Sequence, residues 1–334
     1  MRRLHASFLA LIFLLGAAEF CAAQSDDREL PTLRVAVLKY GTANWELELI
    51  SQLGFDRANG FRLELLQRVS PNASLVALQG GAADFTVADW LWVAEQQAAQ
   101  REYHFYPYSS AVGELLVPPG SSATRLADLE AADLGVAGGA EDKSWLLFQA
   151  YAKQQGIDLR ELTKPRYAAP PLLNGLATTG QLDAVLTYWH YAARLKAAGF
   201  RPILSLEEVL ARLGVASELP MLGWVFSAEL GRSSPDLVDG FLRASYAAKS
   251  RLLEDDAAWE RIQPLMRADS ADVFRELRDG YRAGVPGDFA FAEMQAIKEV
   301  AAIVAEARAS PTAPTGERGL PDSVFWTLSD ARAP

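Results

Sequence analysis

Residues able to contact a small molecule recur in this sequence in short segments, most of which follow a run of apolar residues. They combine aromatic rings with amide, carboxylate, imidazole and ammonium groups. A tryptophan ring offers a large apolar area and a π face that holds flat or cationic molecules, so a set of them favours ligand binding, although a tryptophan at a helix start also packs into a core. The candidate ligand contacts are Tyr40, Asn44, Trp45, Asn72, Asp89, Trp90, Gly138, Gly139, Lys143, Ser144, Trp145, Tyr188, Trp189, His190 and Trp224.

The charged groups among these residues indicate what the ligand carries. Asp89 stands beside Trp90, and a fixed carboxylate repels an anion in a site of low dielectric. Asp142, before a predicted helix, is typical of an N-terminal cap. The Gly138-Gly139 pair could offer backbone N–H groups to an anion, but such pairs also form ordinary turns. We therefore expect a neutral or cationic organic molecule with a flat part.

Catalytic patterns are missing from the sequence. It has no Gly-x-Ser-x-Gly elbow and no His-Glu-x-x-His motif. Its histidines, His5, His104 and His190, are far apart, and its only cysteine is Cys21. We expect no enzymatic activity, no cofactor and no metal site.

The first residues have the pattern of a secretory signal. A cationic start, Met1-Arg2-Arg3, precedes an uncharged apolar run over residues 8–18 and the small residues Ala22-Ala23. The run is too short for a membrane span. We predict that residues 1–23 form a signal peptide, that cleavage leaves a chain without cysteine, and that the protein resides in the periplasm.

The overall charge limits the class of partner. The formal net charge is −10 and the sequence pI is near 5.0. Nucleic-acid binding needs a clustered basic surface, so we expect no nucleic-acid partner.

Strand and helix patterns alternate along the chain and would position the candidate contacts. Residues 33–37 and 85–88 read as strands, and Ser70-Pro71 predicts the start of a helix with Leu75, Val76 and Leu78 on its buried face. This alternation predicts an α/β fold with a largely parallel sheet. Open sheets of this kind bind ligands beyond the carboxyl ends of their strands, where the candidate contacts lie.

The pattern then restarts at a spacing near 100 residues. Residues 84–90 match residues 183–189, each with an acid, an apolar strand and a tryptophan, and Trp45 matches Trp145. This weak repeat predicts two lobes built on one plan. After a strand at residues 222–226 the chain is helical, with predicted caps at Ser234 and Ser270, a helix from about 291 to 307, and an apolar anchor at residues 324–326.

Segments spread over nearly the whole chain resemble one known family. They are residues 33–37, 75–85, 126–137, 180–185 and 235–244. They are similar to the substrate-binding proteins of ABC importers of the nitrate, sulfonate and taurine type, the SsuA/THI5-like family. The departures are Asp89-Trp90, where oxyanion-binding members have small hydroxyl residues, and Trp189-His190-Tyr191, where many members have Trp-Glu-Pro. They disfavour nitrate and alkylsulfonates as ligands.

The resemblance implies a two-lobed periplasmic-binding-protein type 2 fold, in which each lobe is a mostly parallel sheet flanked by helices. Two crossover segments, near residues 109–114 and 217–222, would join the lobes. Residues 24–111 and 217–334 would then form lobe I, and residues 112–216 lobe II. It also implies a monomer that captures a small organic molecule and delivers it to the permease and ATPase subunits of an ABC transporter.

Three other functions stay open at this point. A carrier of a hydrophobic lipid or sterol would need a far larger apolar pocket. A pyrimidine synthase, known among THI5-like proteins, would need a cysteine-rich motif that this chain lacks. A sensor subunit that reports a ligand to a membrane receptor cannot be distinguished from a transport protein by sequence.

Overall fold

A computed structural model describes residues 30–215, 219–287, 291–308 and 320–328. The predicted signal peptide, residues 1–23, lies outside the described residues. The described residues from Thr32 onward form one compact unit, to which everything below refers. None of the helices within the described ranges is long and apolar enough to cross a membrane.

Strands and helices alternate through the first two thirds of the unit. The strands are β1 (Thr32–Leu38), β2 (Arg62–Arg68), β3 (Phe85–Ala88), β4 (Tyr103–Ser109), β5 (Glu114–Val117), β6 (Asp133–Ala137), β7 (Lys164–Ala168), β8 (Ala184–Thr187), β9 (Arg201–Ser205) and β10 (Leu222–Ser227). The α-helices are α1 (Ala43–Leu53), α2 (Phe55–Ala58), α3 (Pro71–Gln79), α4 (Trp90–Ala98), α5 (Lys143–Gln154), α6 (Leu159–Leu162), α7 (Pro170–Thr178), α8 (Trp189–Ala197), α9 (Leu206–Arg212), α10 (Ala228–Ser233), α11 (Pro235–Glu254), α12 (Asp256–Met266), α13 (Ala271–Ala283) and α14 (Phe291–Arg308).

These strands form two sheets on the same plan. One has the order β2-β1-β3-β10-β4 and the other β7-β6-β8-β5-β9. In each sheet four of the five strands run in one direction, and the reversed strand, β10 or β5, is the first after the chain crosses from the other sheet. The predicted α/β fold with mostly parallel sheets is confirmed, and so is the repeat, because the two orders correspond strand for strand.

The chain passes between the sheets twice. It leaves the first sheet after Ser109 and enters the second at Glu114, and it returns between Arg212 and Leu222, a stretch of which residues 216–218 lie outside the described ranges. The sheet around β1 is called lobe I below and the sheet around β6 lobe II. The finer lobe boundaries given above stay a prediction.

An aspartate just before the third strand of each lobe makes the same two hydrogen bonds to the first strand. Its carboxylate accepts one bond and its backbone N–H donates the other. The Arg34 N–H donates to Asp84 Oδ2 at 2.7 Å, and the Asp84 N–H donates back to the Arg34 carbonyl at 2.8 Å. In lobe II the Asp133 N–H donates to Asp183 Oδ2 at 2.8 Å, and the Asp183 N–H returns a bond of 3.0 Å. Only Asp84 also receives a guanidinium, with Arg34 Nη2 at 2.7 Å from Oδ1. The repeated acid therefore fixes the register of two neighbouring strands.

Helix α3 has the predicted cap but a different buried face. The Ser70 hydroxyl accepts the Ala73 N–H at 3.2 Å, as expected. The prediction that Val76 is buried was wrong, since it is 65% exposed. The face against the sheet is Ser74, Ala77 and Leu78, and the small side chain of Ala77 packs onto Ala36 of β1. Close approach of the helix to the strand thus selects alanine over the larger valine.

A buried charged network holds the C-terminal helices to lobe I. Glu46 of α1 is 0% exposed and Lys249 of α11 is 2% exposed, and the Lys249 ammonium donates to the Glu46 carboxylate. The Ser245 hydroxyl donates to the other oxygen of Glu46, and the Tyr281 hydroxyl to Oε2 at 3.1 Å. The Trp224 indole N–H donates to Ser245 at 2.9 Å. Each of these buried groups has a partner, which burial of charge requires.

The environment of this network shifts its proton affinities. Burial lowers the pKa of Lys249, although Glu46 opposes the shift. Burial, together with the charge of Glu46, raises the pKa of Tyr281 well above its usual value, so Tyr281 stays a donor. The ammonium nitrogen also lies 3.9 Å from the centre of the Tyr108 ring, a distance at which a cation is attracted to the π face.

The C-terminal part of the chain contacts both lobes. Helix α14 packs against α5 of lobe II. The Trp326 N–H donates to the Phe105 carbonyl of edge strand β4 at 2.9 Å, and its indole N–H donates to Asp239 at 2.9 Å. Val324 and Phe325 are buried beside it, which confirms the predicted apolar anchor. The tail thus covers part of an exposed sheet edge.

The acid pairs predict unequal losses of stability. Asp84→Ala should lower the free energy of unfolding by about 2 kcal/mol, because charged hydrogen bonds are lost. Asp183→Ala should lower the free energy of unfolding by about 1 kcal/mol, because it removes only the hydrogen bond from the Asp133 N–H. Urea unfolding of both variants measures the difference. Equal losses would contradict the role assigned to the Arg34 guanidinium.

The network predicts strong coupling between its two charges. Glu46→Gln or Lys249→Met alone should cost about 3–5 kcal/mol, since each leaves a buried charge unpaired. The double variant should cost less than the sum by more than about 1 kcal/mol. A double-mutant cycle by denaturant unfolding tests this. Additive losses would mean that the pair does not act as a unit.

Candidate functional site

The two lobes meet at the carboxyl ends of their strands through an ion pair. Asp89 follows β3 of lobe I, and Lys143 is the first residue of α5 in lobe II. The Lys143 ammonium donates to Asp89 Oδ2 at 3.1 Å, and the two side chains are 14% and 27% exposed, respectively. The structure therefore brings together two predicted contacts from different lobes.

Both predicted acids cap helices as well. Asp89 Oδ1 accepts the Trp92 N–H at 2.9 Å at the start of α4. Asp142 Oδ1 accepts the Ser144 N–H at 2.9 Å at the start of α5, so its predicted role as a cap is confirmed. Because Lys143 pairs with Asp89, the ammonium group compensates the negative charge of the Asp89 carboxylate. The electrostatic reason for expecting anions to be excluded is therefore weaker than the sequence indicates.

The glycine pair makes room for a second contact beside this ion pair. Gly138 and Gly139 have φ of 82° and 100°, a region that favours glycine. A Cβ on Gly138 would lie 2.3 Å from Asp142 Oδ2 and 2.5 Å from the Tyr188 hydroxyl, which donates to Asp142 at 3.3 Å. Burial raises the pKa of Asp142. Gly138 thus allows Tyr188 and Asp142 to meet, and its contact with an anion stays a prediction.

Four of the predicted tryptophans are buried in this arrangement. Trp45 is 4% exposed, and the other three, Trp90, Trp145 and Trp224, are 0% exposed. Trp45 stands edge-on to Trp189 of lobe II with ring centres 6.1 Å apart, so the rings in contact are not the pairs matched by the repeat. The aromatic clamp stays a prediction that requires the lobes to separate.

His190 and Asn44 are held in place by their surroundings. The His190 ring packs against Trp189 with centres 5.6 Å apart, and burial lowers the pKa of His190 to about 3, so the ring is neutral near pH 7. The Asn44 amide donates to the carbonyls of Leu38 and Gly41 at 2.5 and 2.9 Å and so holds the loop after β1.

Tyr40 and Asn72 lie at the exposed margin. Tyr40 is 57% exposed, and its ring centre is 3.8 Å from the guanidinium carbon of Arg267. The hydrogen bond from Arg267 lowers the pKa of Tyr40, with a further contribution from Lys39. Asn72 is exposed on α3. Contact of either residue with a ligand stays a prediction.

Several buried polar atoms at this junction have no hydrogen-bond partner. Such atoms are costly and call for an explanation. Within the described ranges, seven of them lie at a strand's carboxyl end, near the start of the helix after it, or in the first crossover. They are Asn44 Oδ1, Trp90 Nε1, Tyr108 Oη, Ser110 Oγ, Trp145 Nε1, Thr187 Oγ1 and His190 Nδ1. Donors and acceptors from both lobes are therefore concentrated where an open sheet binds its ligand.

A small chamber lies at the same junction. Its volume is about 10 Å³, room for roughly one water. Both lobes and the C-terminal helices line it, through Thr42, Tyr108, Ser109, Trp189, Lys249, Tyr281, Gly284 and Val285. An organic molecule can enter only if the lobes separate. A polar groove of about 330 Å³ lies elsewhere, near Arg101 and Arg232 at the amino end of β4.

Sequence reasoning missed Glu46, Tyr108, Lys249 and Tyr281 as residues of this region. One signal was available for Lys249. It follows Ser245 by four residues and precedes Leu252 by three, and therefore lies on the apolar face of α11. A lysine on that face needs a buried partner, but the pattern does not say which one. Among the described residues no cluster of three or more His, Cys, Asp or Glu could hold a metal ion.

Comparison with known proteins finds likeness in structure and not in sequence. No family profile matches the chain, and no curated protein matches it. The aliphatic sulphonate binding protein SsuA of Escherichia coli matches with a TM-score of 0.66 and 16% identity, over 83% of this chain and 93% of that one.

Two further structures match at similar length. The alkanesulfonate-binding protein SsuA of Xanthomonas axonopodis pv. citri, bound to MOPS, has a TM-score of 0.64 and 20% identity over 88% of this chain and 98% of that one. A DSZB variant in complex with biphenyl-2-sulfinic acid has a TM-score of 0.58 and 14% identity over 83% and 92%. The chain therefore has the two-lobed fold of the periplasmic binding proteins, in the form found in SsuA.

Proposed function

We propose that this protein is an extracytoplasmic solute-binding protein that captures a small organic molecule between its lobes and delivers it to an ABC importer. The observation that carries the proposal is the set of unpartnered polar atoms contributed by both lobes at their junction. A ligand held there would satisfy them. The fold, which is that of importer-associated binding proteins, supports the same function.

The mechanism follows from how the lobes are joined. Two crossovers connect them, and the ion pair and chamber lie between them. Two rigid lobes on a hinge open to admit a ligand and close around it. The protein acts as a monomer without catalytic activity, and its partners are the ligand and the permease and ATPase subunits of the transporter.

A lipid or sterol carrier is less well supported. Such a ligand needs a pocket of several hundred Å³ with apolar walls. The chamber at the junction is lined by a lysine, two tyrosines and two hydroxyl side chains, beside Trp189 and Val285. These polar walls favour a small polar solute.

The unpartnered atoms give a test that separates binding from stability. Thr187→Val removes a buried hydroxyl without a partner, so it should raise the free energy of unfolding by about 1 kcal/mol while weakening ligand binding. Thermal shift against a library of small metabolites finds the ligand, since a solute at a hundred times its Kd adds about 2.7 kcal/mol. Calorimetry then compares the variants.

The matched control is Ser74→Ala. Ser74 Oγ is also buried without a partner, but it lies on α3 against the sheet. This variant should gain stability and bind ligand as the natural protein does. If Thr187→Val binds as tightly as the natural protein, or if no library member stabilises the chain, the proposed site is wrong.

Export gives an independent prediction. Protein recovered from the periplasm should have lost residues 1–23, because the signal peptidase cleaves after Ala23. Intact-mass measurement shows the site directly. A mass that retains these residues, or one with acyl chains added at Cys21, would contradict it.

A further inference from the structure

One arginine of lobe II completes the end of a helix that packs on lobe I. Arg194 of α8 donates from Nη2 to the Met266 carbonyl at 2.7 Å and from Nη1 to the Arg267 carbonyl at 2.9 Å. These carbonyls stand at the end of α12, which packs against α1 of lobe I. The last carbonyls of a helix lack partners within it and carry partial negative charge, so a guanidinium with several donors suits them.

The residue at this helix end has a strained backbone. Arg267 has a φ of 51°, in the left-handed region that side chains other than glycine disfavour. Such a conformation persists only where its surroundings fix it, and Arg194 holds the peptide carbonyls on both sides of the residue. Asp269, two residues further on, also attracts the Arg194 guanidinium. The turn that follows α12 therefore depends on a side chain from the other lobe.

Arg267 in turn reaches the exposed margin of lobe I. Its guanidinium carbon lies 3.8 Å from the centre of the Tyr40 ring, on the loop after β1, and the Lys39 ammonium lies 5.5 Å from the same centre. All three side chains are exposed. On a chain with a formal net charge of −10 they form a small basic and aromatic surface. Lys39, Tyr40 and Arg267 are called the Tyr40 surface below.

The packing around Arg194 allows small displacements that its hydrogen bonds do not. Ala193 of α8 is buried in the apolar core of lobe I. A Cβ on Gly280 of α13 would lie 3.0 Å from the Trp189 ring, so this glycine lets α13 and α8 approach closely. Packed apolar helices tolerate a small shear, whereas a hydrogen bond is lost once its atoms part by about 1 Å. The Arg194 bonds are therefore more sensitive to the position of lobe II than the apolar packing beside them.

We propose that Arg194 couples the separation of the lobes to the Tyr40 surface. With the lobes together, its bonds hold Arg267 in the left-handed conformation and so against Tyr40. When lobe II moves away, the turn relaxes and Arg267 leaves the ring. Arg194 is a positioning residue, since it acts on Tyr40 through Arg267.

This inference rests on the proposed function, because it needs lobes that separate, and it adds a regulatory feature to that function. The Tyr40 surface lies at the margin of lobe I and differs between closed and open lobes. A transporter that contacts this margin thus meets one surface on the closed protein and another on the open protein.

The ionisation of Tyr40 tests the coupling without any ligand. Arg267 lowers the pKa of the Tyr40 phenol, so loss of their contact should raise it. Ultraviolet titration of the mature protein at low salt, with and without Tyr40→Phe, isolates this phenol. Arg267→Gln gives its pKa without the contact. Arg194→Gln should move the Tyr40 pKa at least half of the way to that value.

Arg201→Gln is the matched control. Arg201 Nη2 donates to the carbonyls of Ala123 at 2.7 Å and Ser121 at 3.3 Å, which is the same kind of contact but within lobe II. This variant should leave the Tyr40 pKa unchanged. A pKa that stays at its natural value in Arg194→Gln, or that Arg201→Gln raises equally, would overturn the coupling.

A second variant moves the lobes without altering a hydrogen-bonding side chain. Gly280→Leu places a side chain against Trp189, so α8 should move away from α13 and take Arg194 with it. The Tyr40 pKa should then rise as it does in Arg194→Gln. A larger radius of gyration by small-angle scattering together with an unchanged Tyr40 pKa would contradict the proposal.

The outcomes separate this inference from the proposed function. If the Tyr40 pKa follows Arg194 but no library member binds, the coupling stands as a property of the fold and the proposed function is wrong. If a solute binds at the junction but the Tyr40 pKa does not respond to Arg194→Gln, the binding function stands and the coupling is wrong.

Discussion

The buried pair of Glu46 and Lys249 is the constraint on which the arrangement of the chain depends. The two residues are 203 positions apart, yet neither charge can stay buried without the other. Their contact fixes α11 against α1, and Tyr281 ties α13 to the same carboxylate. Three residues beyond Tyr281, the Gly284 carbonyl accepts the Ser110 N–H of the first crossover at 2.8 Å. The network therefore also helps to position the first crossover.

The molecule contains two ion pairs of different character. The Glu46–Lys249 pair is buried within one lobe and its C-terminal helices, and it is held by additional hydrogen bonds from Ser245 and Tyr281. The Asp89–Lys143 pair keeps some contact with water and joins the two lobes. Partial solvation lowers the cost of parting the charges. One pair therefore lies inside lobe I and its C-terminal helices, whereas the other connects the two lobes.

Much of the fold was predictable because local patterns specify it. Apolar runs predicted β1, β3, β8 and β10, and the repeated acid predicted that two lobes share a plan. The sequence analysis did not predict β4, β5, β7 and β9. Strand β4 is rich in aromatic residues and contains Pro107, and β7 is an edge strand with mostly exposed side chains, so neither shows a clear alternation. Helix α12 was missed as well, and it contains Pro264.

The candidate site was predictable to the level of segments and not of side chains. The loops after the strands were identified, since open sheets place their sites there. The sequence could not say that Asp89 meets Lys143, because that depends on how one lobe faces the other. Nor could it separate a tryptophan that lines a cleft from one that fills a core, because both positions call for the same large ring at a helix start.

The two lobes share one plan, but the residues at two pairs of equivalent positions differ in charge. Asp89 and Tyr188 occupy the same position, the N-cap of the helix after the third strand of each lobe. Ala43 and Lys143 likewise share the first position of the helix after the first strand. In each equivalent pair only one residue is charged, and the two charges, on Asp89 and Lys143, are opposite and in contact. Lobe I therefore contributes the carboxylate and lobe II the ammonium of the ion pair that joins them.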